Sequence, residues 1–355
     1  MKNLSMSWLR PICLSLIGAL GIAVTANAQT APKPLFTNDN VIKIQIEAPF
    51  KKLIAKSERS TDPYPAILRL KDGTLETHAI TVAARGKSRR RKENCKFPPL
   101  RVRFNDKAQF PALFAKQKSL KLVTHCQKAS KSEQTILLEY SAYRLYNEIT
   151  PQSLKVRLAE IEYIESKSRK PIVTRYGFFI EDMDDAAKRN GMKEIDQEKI
   201  SKSQLKTDTA IRTTLFHYLI SNVDWSLSRG PVGSDCCHNS KLMGYSTANL
   251  QNLVSVPYDF DQSGLVDADY AVTHESLPIK NVRQRLYRGF CRDNAQAKIE
   301  SQKILQKRSR LMAVFDSIQG LDGRKREKAK AYISNGFDDL SDPAKFEKRI
   351  IDRCR

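Results

Sequence analysis

Three short stretches of this chain place carboxylate and amide side chains where a helix or strand is predicted to begin or end. Asp224 follows a predicted buried helix, Asn239 opens a predicted strand, and Asp259 and Asp261 close the next strand. Such converging oxygen atoms suit Mg²⁺, which takes hard oxygen ligands and keeps coordination positions for phosphate oxygens. A further carboxylate that holds no metal can accept the proton of an attacking hydroxyl. These residue types therefore predict metal-assisted chemistry on a phosphate.

Each of these residues also has a purely structural interpretation. Asp224 could cap a turn, and the two strand acids could be edge charges that deter aggregation. We expect Asp259 and Asp261 to alternate between the two sides of the predicted strand end, so that at most one of them, Asp259, faces a metal. His238 is expected to be a loop or core histidine, because no second histidine or reduced cysteine lies at ligand spacing.

A dense run of basic residues lies earlier in the chain. Residues 85–96 hold seven basic residues and one acidic residue, beginning with Arg85, Gly86 and Lys87. If this run borders a cleft it would attract anionic ligands, whereas a solvated loop is the alternative. The whole chain of 355 residues carries a formal charge of +22. Nucleotide phosphates, anionic glycans, lipid headgroups and nucleic acid are all expected partners for such a charge, which does not choose among them.

The elements that must position these residues change character along the chain. Over residues 41–180 apolar and polar residues alternate, which predicts a mostly antiparallel sheet with an Asp72-Gly73 turn. One helix interrupts this sheet, over residues 134–149, where the apolar residues lie on one face. From residue 208 the apolar period is helical. Two further strands are predicted in that part, at residues 241–243 and 253–256.

The predicted fold class is α+β. A β-rich N-terminal lobe with one helix spans residues 29–180, a charged connection spans residues 181–207, and a mainly helical C-terminal lobe spans residues 208–355. With 41% hydrophobic residues and only 14 Gly and 15 Pro, the composition excludes a collagen-like, low-complexity or wholly disordered chain.

Residues 1–28 have the pattern of a cleavable signal peptide. Lys2 and Arg10 precede an apolar run over residues 12–24, and Ala26-Asn27-Ala28 forms a small-x-small cleavage site. The run is too short to span a bilayer, and no later segment is long and apolar enough to do so. The mature protein is therefore expected to be periplasmic or secreted, with no transmembrane span. Its charge would be +20, because the signal holds two basic residues and no acidic one.

The cysteines that remain after the signal peptide are Cys95, Cys126, Cys236, Cys237, Cys291 and Cys354. An even number suits an oxidising compartment. We expect the first two to form a disulfide, because each flanks a predicted strand in the same basic region. The adjacent pair is expected to bond to the last two cysteines, because a bond between neighbours closes a strained ring.

The order of these acids and amides resembles the catalytic half of the spore-coat protein H (CotH) kinase family, secreted or surface relatives of protein kinases. The resemblance extends back into the N-terminal half and covers roughly residues 40–320 as a collinear pattern of short motifs. It implies a kinase-like bilobal fold that binds ATP with Mg²⁺, or Mn²⁺ in its place. It also implies transfer of phosphate to a protein acceptor in the envelope or outside the cell. The matching N-terminal segments are residues 84–89, 96–104, 119–124, 139–146 and 176–182.

Four residues of the C-terminal half match positions of that family. Asp224 resembles its catalytic-loop aspartate, Asn239 its metal-binding asparagine and Asp259 its second metal-binding aspartate. Asp261 matches the acid that follows and is a further candidate metal ligand. The segment between Asp224 and Asn239 is longer than a protein-kinase catalytic loop. The resemblance implies that Asp224 orients the acceptor hydroxyl while Asn239 and Asp259 hold the metal ion.

In the N-terminal half the resemblance makes five residues candidates for binding the cofactor. The turn that contains Arg85 and Lys87 is similar to the family's small-residue loop near the phosphates. Lys96 and Lys121 are both candidates for the lysine that holds the phosphates. Glu139 on the predicted helix would be the carboxylate partner of that lysine. A surface pair between Glu139 and a nearby base is the alternative.

Three functions are compatible with these residues. The leading hypothesis is a CotH-like kinase, secreted or periplasmic, with ATP and Mg²⁺ as cofactors. The alternative is a non-catalytic, kinase-like basic envelope protein that binds an anionic glycan, a lipid headgroup or a protein partner. A third hypothesis is a Mg²⁺-dependent phosphohydrolase that uses the same acids. Metal-dependent nucleotide binding separates the first and third from the second, and labelling of a protein separates the first from the third.

Overall fold

The computed structural model describes residues 30–71, 76–105, 112–234 and 236–355. The predicted signal peptide and the predicted Asp72-Gly73 turn lie outside these residues. Alternation of apolar residues forms the first strand as expected, since Ile42, Ile44 and Ile46 are buried while the residues between them are more exposed. The same period produces the predicted strands that follow it.

Seven strands of the N-terminal half form one closed barrel. They are β1 (Ile42–Ala48), β2 (Tyr64–Leu70), β3 (Thr77–Ala84), β4 (Leu100–Phe104), β5 (Ser119–Val123), β6 (Val156–Glu165) and β7 (Lys170–Ile180). Their order around the barrel is β1-β2-β3-β4-β5-β7-β6. Every neighbouring pair is antiparallel except β6 and β1. This parallel pair runs from Ile42 beside Ala159 to Ala48 beside Glu165 and closes the sheet on itself.

Helices and a second sheet complete the described residues. The helices are α1 (Phe50–Lys56), α2 (Ser130–Ile149), α3 (Met183–Arg189), α4 (Thr207–Ile220), α5 (Asn294–Leu305), α6 (Arg308–Ser317), α7 (Gly323–Ser341) and α8 (Pro343–Arg349). The second sheet has the antiparallel order β10-β9-β8, from β8 (Lys193–Ile195), β9 (Ser240–Gly244) and β10 (Val254–Pro257). The charged connection therefore contains α3 and β8. None of these helices is both long and apolar enough to cross a membrane.

The α+β class is confirmed, but the kinase-like bilobal fold that the resemblance implied is wrong. The strands of the β-rich half close into a barrel, which has its own core around residues such as Ile44. The helix α2, predicted to belong to a β-rich lobe, instead packs in a core shared with the C-terminal helices. This core crosses the expected lobe boundary, because it contains Leu145 and Phe178 together with Leu215 and Ile333.

The cysteines of the described residues form three disulfides: Cys95–Cys126, Cys236–Cys237 and Cys291–Cys354. The first was predicted and is confirmed. The prediction that the adjacent pair bonds to the two later cysteines is wrong, because the C-terminal residues return to the segment before α5. There the amide of Arg355 donates to the carbonyl of Gly289 at 2.8 Å, which holds the last cysteine beside its partner.

Candidate active site

The second sheet brings two of the predicted site residues to one edge. β9 and β10 are antiparallel neighbours, with Ser240 opposite Pro257. Asn239 precedes this pair and Tyr258 follows it, and the amide of Tyr258 donates to the carbonyl of Asn239 at 3.1 Å. Because the start of one strand and the end of its antiparallel neighbour meet at the same edge, Asn239 and Asp259 lie at the same end of the sheet.

Asp224 is held at this edge by the turn that follows α4. Its amide donates to Oδ1 of Asn222 at 3.0 Å. Nδ2 of Asn239 donates to the carbonyl of Asp224 at 2.7 Å and to its Oδ2 at 2.9 Å. The structure thus brings together Asp224, Asn239 and Asp259, which all line one cleft of about 460 Å³.

The barrel contributes a row of cations to the same cleft. Arg101 on β4 pairs in register with Lys121 on β5, and Arg85 follows the adjacent strand β3. These three residues, here named the cationic row, line the cleft together with Lys87. Burial, and then Arg85, lowers the pKa of Lys121 to about 8, and the same two causes lower the pKa of Arg101. Like charges on facing strand positions repel each other, so a bound anion would stabilise this row.

Asp259 and Asp261 follow β10 but do not alternate. The strand ends at Pro257, and Asp259 has a left-handed backbone with φ of 61°. The side chain of Asp259 is 42% exposed, whereas Asp261 is buried. Both nevertheless approach the guanidinium of Arg89, with Oδ1 of Asp259 at 3.8 Å from Nη2 and Oδ2 of Asp261 at 2.9 Å from Nε. The expectation that the two side chains alternate is wrong, because residues two positions apart share a face even on a strand, and here both approach one arginine. The assignment of Asp259 to a metal stays a prediction.

Arg89 is the centre of a buried ionic network that the sequence did not reveal. Its Nη2 donates to Oε2 of Glu139 at 2.6 Å, and Asp261 also accepts from the hydroxyl of Tyr270 at 3.0 Å. Glu139 therefore pairs with Arg89 rather than with either candidate lysine. Burial raises the pKa of Glu139 to about 8 and also raises the pKa of Asp261. Asp261 is thus occupied in holding Arg89 and is a poor candidate for a metal ligand.

The two candidate lysines are separated by the fold. Lys121 lines the cleft, with Nζ 4.7 Å from the ring centre of Tyr258. Lys96 lines a different cavity, near the start of α2, together with Lys128 and Lys131. The structure therefore places Lys121, and not Lys96, next to the acids of the site.

His238, interpreted from the sequence only as a loop or core histidine, lies in the loop before β9 and lines the cleft. Its Nε2 lies 2.6 Å from Oδ1 of Asp224, and its side chain lines the cleft at 36% exposure. The hydrogen bond to Asp224 raises the pKa of His238, and burial opposes it. The adjacent Cys236 and Cys237 precede His238 and are buried in the same apolar cluster as Trp225. The position of His238 directly before Asn239 was the one available signal.

The oxygen atoms of the cleft suit a divalent cation that is bound together with a phosphate. In the described ranges no group of three or more His, Cys, Asp or Glu side chains is arranged to hold a metal ion. Mg²⁺ does not need such a group, because it binds through one or two carboxylates, keeps several waters and completes its shell with substrate phosphates. Asp259 supplies an accessible carboxylate. Asn239 uses its amide nitrogen on Asp224, so its amide oxygen is the atom left for a cation. These residues fit Mg²⁺ or Mn²⁺ bound together with a phosphate.

The residue after Asp224, Trp225, stacks on a buried histidine. His217, in the last turn of α4, stacks on Trp225 with ring centres 4.8 Å apart and planes 8° apart. Across the part of the chain that the structure describes, neither ring nitrogen of His217 has a hydrogen-bond partner. Burial, and then Arg288, lowers the pKa of His217 to about 3 from the usual 6.5. The ring is therefore neutral in the folded protein.

Replacing His217 with phenylalanine should make the protein less sensitive to acid. The unfolded chain takes up a proton near pH 6.5 and the folded protein does not. The stability that the neutral His217 ring contributes to the folded protein is therefore fully present above pH 6.5, and it is lost as the pH falls toward about 3. Between pH 7 and pH 5 the wild type should lose about 2 kcal/mol through this group, a loss that His217→Phe avoids while keeping the ring stack.

Urea unfolding of both proteins at pH 7 and pH 5 measures this difference. His274 is exposed, so His274→Phe should retain the wild-type pH dependence. His125, whose pKa burial lowers to about 4, should leave the His217→Phe variant with some acid sensitivity. Equal pH dependence in the wild type and His217→Phe would contradict the assignment.

Comparison with known proteins gives little guidance beyond this geometry. No protein-family model matches the chain, and no curated protein sequence matches it. The membership in the CotH family that the motifs suggested is therefore not confirmed. Among solved structures, the chain is similar to the crystal structure of the Helicobacter pylori proinflammatory kinase CtkA, with a TM-score of 0.37 and 10% sequence identity. The match covers 72% of this chain and 89% of that one. A similarity of this size does not define the fold or the function of the chain.

Proposed function

We propose that the cleft binds ATP with a divalent cation and transfers its terminal phosphoryl group to a hydroxyl of a protein acceptor. One observation carries the proposal: Asp224, Asn239 and Asp259, distant in sequence, line a single cleft that also contains the cationic row. Oxygen ligands beside several cations are what a metal–triphosphate complex requires. The CotH resemblance suggested this reaction, and the arrangement of the side chains supports it independently of that resemblance.

Each residue of the cleft has a role in this reaction. Asp259 and the amide oxygen of Asn239 would hold Mg²⁺, which supplies neutralisation of phosphate charge. The cationic row would bind the remaining phosphate oxygens. Asp224 is oriented by His238 and Asn239, and it would orient the acceptor hydroxyl and receive its proton. The bond to the terminal phosphorus breaks on the ADP side as the acceptor oxygen bonds to that phosphorus.

The proposal includes an acceptor protein that is located in the periplasm or outside the cell. The signal-peptide pattern of residues 1–28 would place the reaction in the periplasm or outside the cell. A protein acceptor there would meet the cleft from its open side, because Asp224 and Asp259 are 39% and 42% exposed. The charge of the chain also favours acidic acceptors.

Ligand-dependent stability of the secreted protein tests this function. ATP with Mg²⁺ should raise the melting temperature, and ATP with a chelator should raise it much less, because ligand binding to the folded state stabilises it. Lys121→Met should weaken the effect of ATP with Mg²⁺ by about tenfold in affinity, the size of one charge-assisted contact. Lys96→Met removes a lysine outside the cleft and should leave the affinity unchanged.

Three outcomes would contradict the proposal. Stabilisation by heparin but not by ATP with Mg²⁺ would favour the basic, non-catalytic envelope protein. Release of labelled γ-phosphate without labelling of any protein would favour the phosphohydrolase. Equal loss of affinity in Lys96→Met and Lys121→Met would place the nucleotide elsewhere. Transfer of label from the γ-phosphate to a serine, threonine or tyrosine of an envelope protein is the expected result.

A further inference from the structure

The backbone amide of Asp259, at the sheet edge where Asn239 also lies, donates a hydrogen bond to a tyrosine side chain on the helix α2. The strand β10 ends at Pro257, so the amide of Asp259 lies beyond the sheet ladder. It donates instead to the phenolic oxygen of Tyr143 on α2 at 2.8 Å. Asp259 also has φ of 61°, a backbone region that costs a residue with a side chain roughly 1–2 kcal/mol. The hydrogen bond that this amide donates to Tyr143 helps to hold the unfavourable conformation.

Tyr143 is itself fixed by its surroundings. It is 2% exposed, and its ring centre lies 4.6 Å from that of Phe260 and 5.5 Å from that of Phe178. Its helix belongs to the core shared with the C-terminal helices. Because Tyr143 is carried by a helix of this core and packs on Phe178 of β7, which lies outside the turn, its hydroxyl is a fixed reference point for the residue that bonds to it.

The direction of the Asp259 carboxylate follows from that backbone conformation. Rotation of the turn would change the direction of the Cα–Cβ bond and therefore the position of both carboxylate oxygens. A metal ligand that is free to rotate loses conformational entropy when the ion binds, whereas a ligand already held in place loses much less. Loss of a partner that orients a metal ligand typically costs 10–100-fold in metal affinity.

We propose that Tyr143 is a positioning residue for Asp259 and sets the affinity of the cleft for its divalent cation. This inference rests on the proposed function, because it assigns Asp259 to the cation. Tyr143 does not contact the cation, the nucleotide or the acceptor in this proposal. It acts through the backbone amide alone, and its effect should therefore appear in metal affinity before it appears in nucleotide contacts.

Calorimetric titration of the preformed Mn²⁺–ATP complex into the protein tests the proposal. Tyr143→Phe removes only the hydroxyl and should weaken Mn²⁺ binding by at least tenfold. Binding of ATP in the presence of a chelator should be unchanged. The metal concentration for half-maximal transfer should rise while the rate at saturating metal falls much less.

Tyr146→Phe is a matched control on the same helix. Tyr146 is also buried, at 3% exposure, and its hydroxyl bonds to Oγ1 of Thr213 at 3.0 Å, away from the cleft. This variant loses one buried hydrogen bond just as Tyr143→Phe does, so it measures the purely structural effect. Its Mn²⁺ affinity should equal that of the wild type.

The outcomes separate this inference from the proposed function. If the wild type binds Mn²⁺ and the Tyr143→Phe and Tyr146→Phe variants bind it with equal affinity, the positioning role alone is overturned. Absence of metal-dependent binding in the wild type overturns the proposed function and this inference with it. Hydrogen exchange in the wild type needs no variant: the amide of Asp259 should be protected in the metal-free protein, and rapid exchange would overturn the inference even if Tyr143→Phe did not fold.

Discussion

Asp259→Asn should abolish metal-dependent nucleotide binding and with it phosphoryl transfer. The amide keeps the size of the side chain and tolerates the left-handed backbone at this position, where φ is 61°. It removes the negative charge that attracts the cation. The loss in metal affinity should exceed about a hundredfold, the upper end of what loss of an orienting partner costs. Melting temperatures with ATP, Mg²⁺ and a chelator, together with label transfer, measure both effects.

Two further variants make this result specific. Asp267 also has a left-handed backbone, with φ of 50°, but its carboxylate bonds to Arg283 outside the cleft. Asp267→Asn should therefore behave as the wild type. Asp224→Asn should keep metal-dependent binding and lower the transfer rate by about 10²–10⁴-fold, the usual contribution of a positioned acid or base. Transfer by Asp259→Asn at the wild-type rate would refute the metal assignment.

Arg89→Met should destabilise the protein by about 3–5 kcal/mol, the cost of removing one partner from a buried ion pair. Glu139 and Asp261 would keep buried carboxyl groups without their shared cation. Both pKa values are already raised by burial, and stability tied to a raised carboxyl pKa is present at low pH and lost as the pH rises. The destabilisation should therefore be larger at pH 8 than at pH 5, as measured by urea unfolding.

A neighbouring arginine and a compensated variant provide the controls. Arg91 forms an exposed pair with Glu93, at 3.3 Å, so Arg91→Met should cost less than about 1 kcal/mol. Adding Glu139→Gln and Asp261→Asn to Arg89→Met should recover much of the lost stability, because no buried charge then lacks a partner. Equal destabilisation by Arg89→Met and Arg91→Met would show that the network contributes little.

The local pattern of the sequence predicted most elements but not their closure. Alternation at Ile42, Ile44 and Ile46 identified β1 because the period of a strand is a local property. Its second neighbour could not be predicted in the same way, since Ile42 pairs with Ala159. The two residues are far apart in sequence, and their pairing depends on how the intervening strands curve. The kinase-like arrangement was inferred from motif order, which carries no information about that curvature.

Some residues of the candidate site could be predicted from local sequence, and others depend on the tertiary fold. Asp224, Asn239 and Asp259 were predicted because each type of side chain stands at the end of an element, where it can reach a ligand. Arg89 was not predicted, because it stands in a run of arginines and lysines and only the fold decides which of them is buried. The choice between Lys96 and Lys121 was open for the same reason. Each lies in or near a predicted strand, and only the fold shows which one reaches the cleft.

The parallel contact between β1 and β6 has a consequence for how the protein is made. During synthesis β1 emerges more than a hundred residues before its partner β6, and a nascent sheet keeps its unpaired backbone groups exposed until that partner arrives. Such a chain folds slowly and can associate with other copies in the meantime. Cells that produce it should therefore rely on a holding chaperone until the last barrel strand has been released.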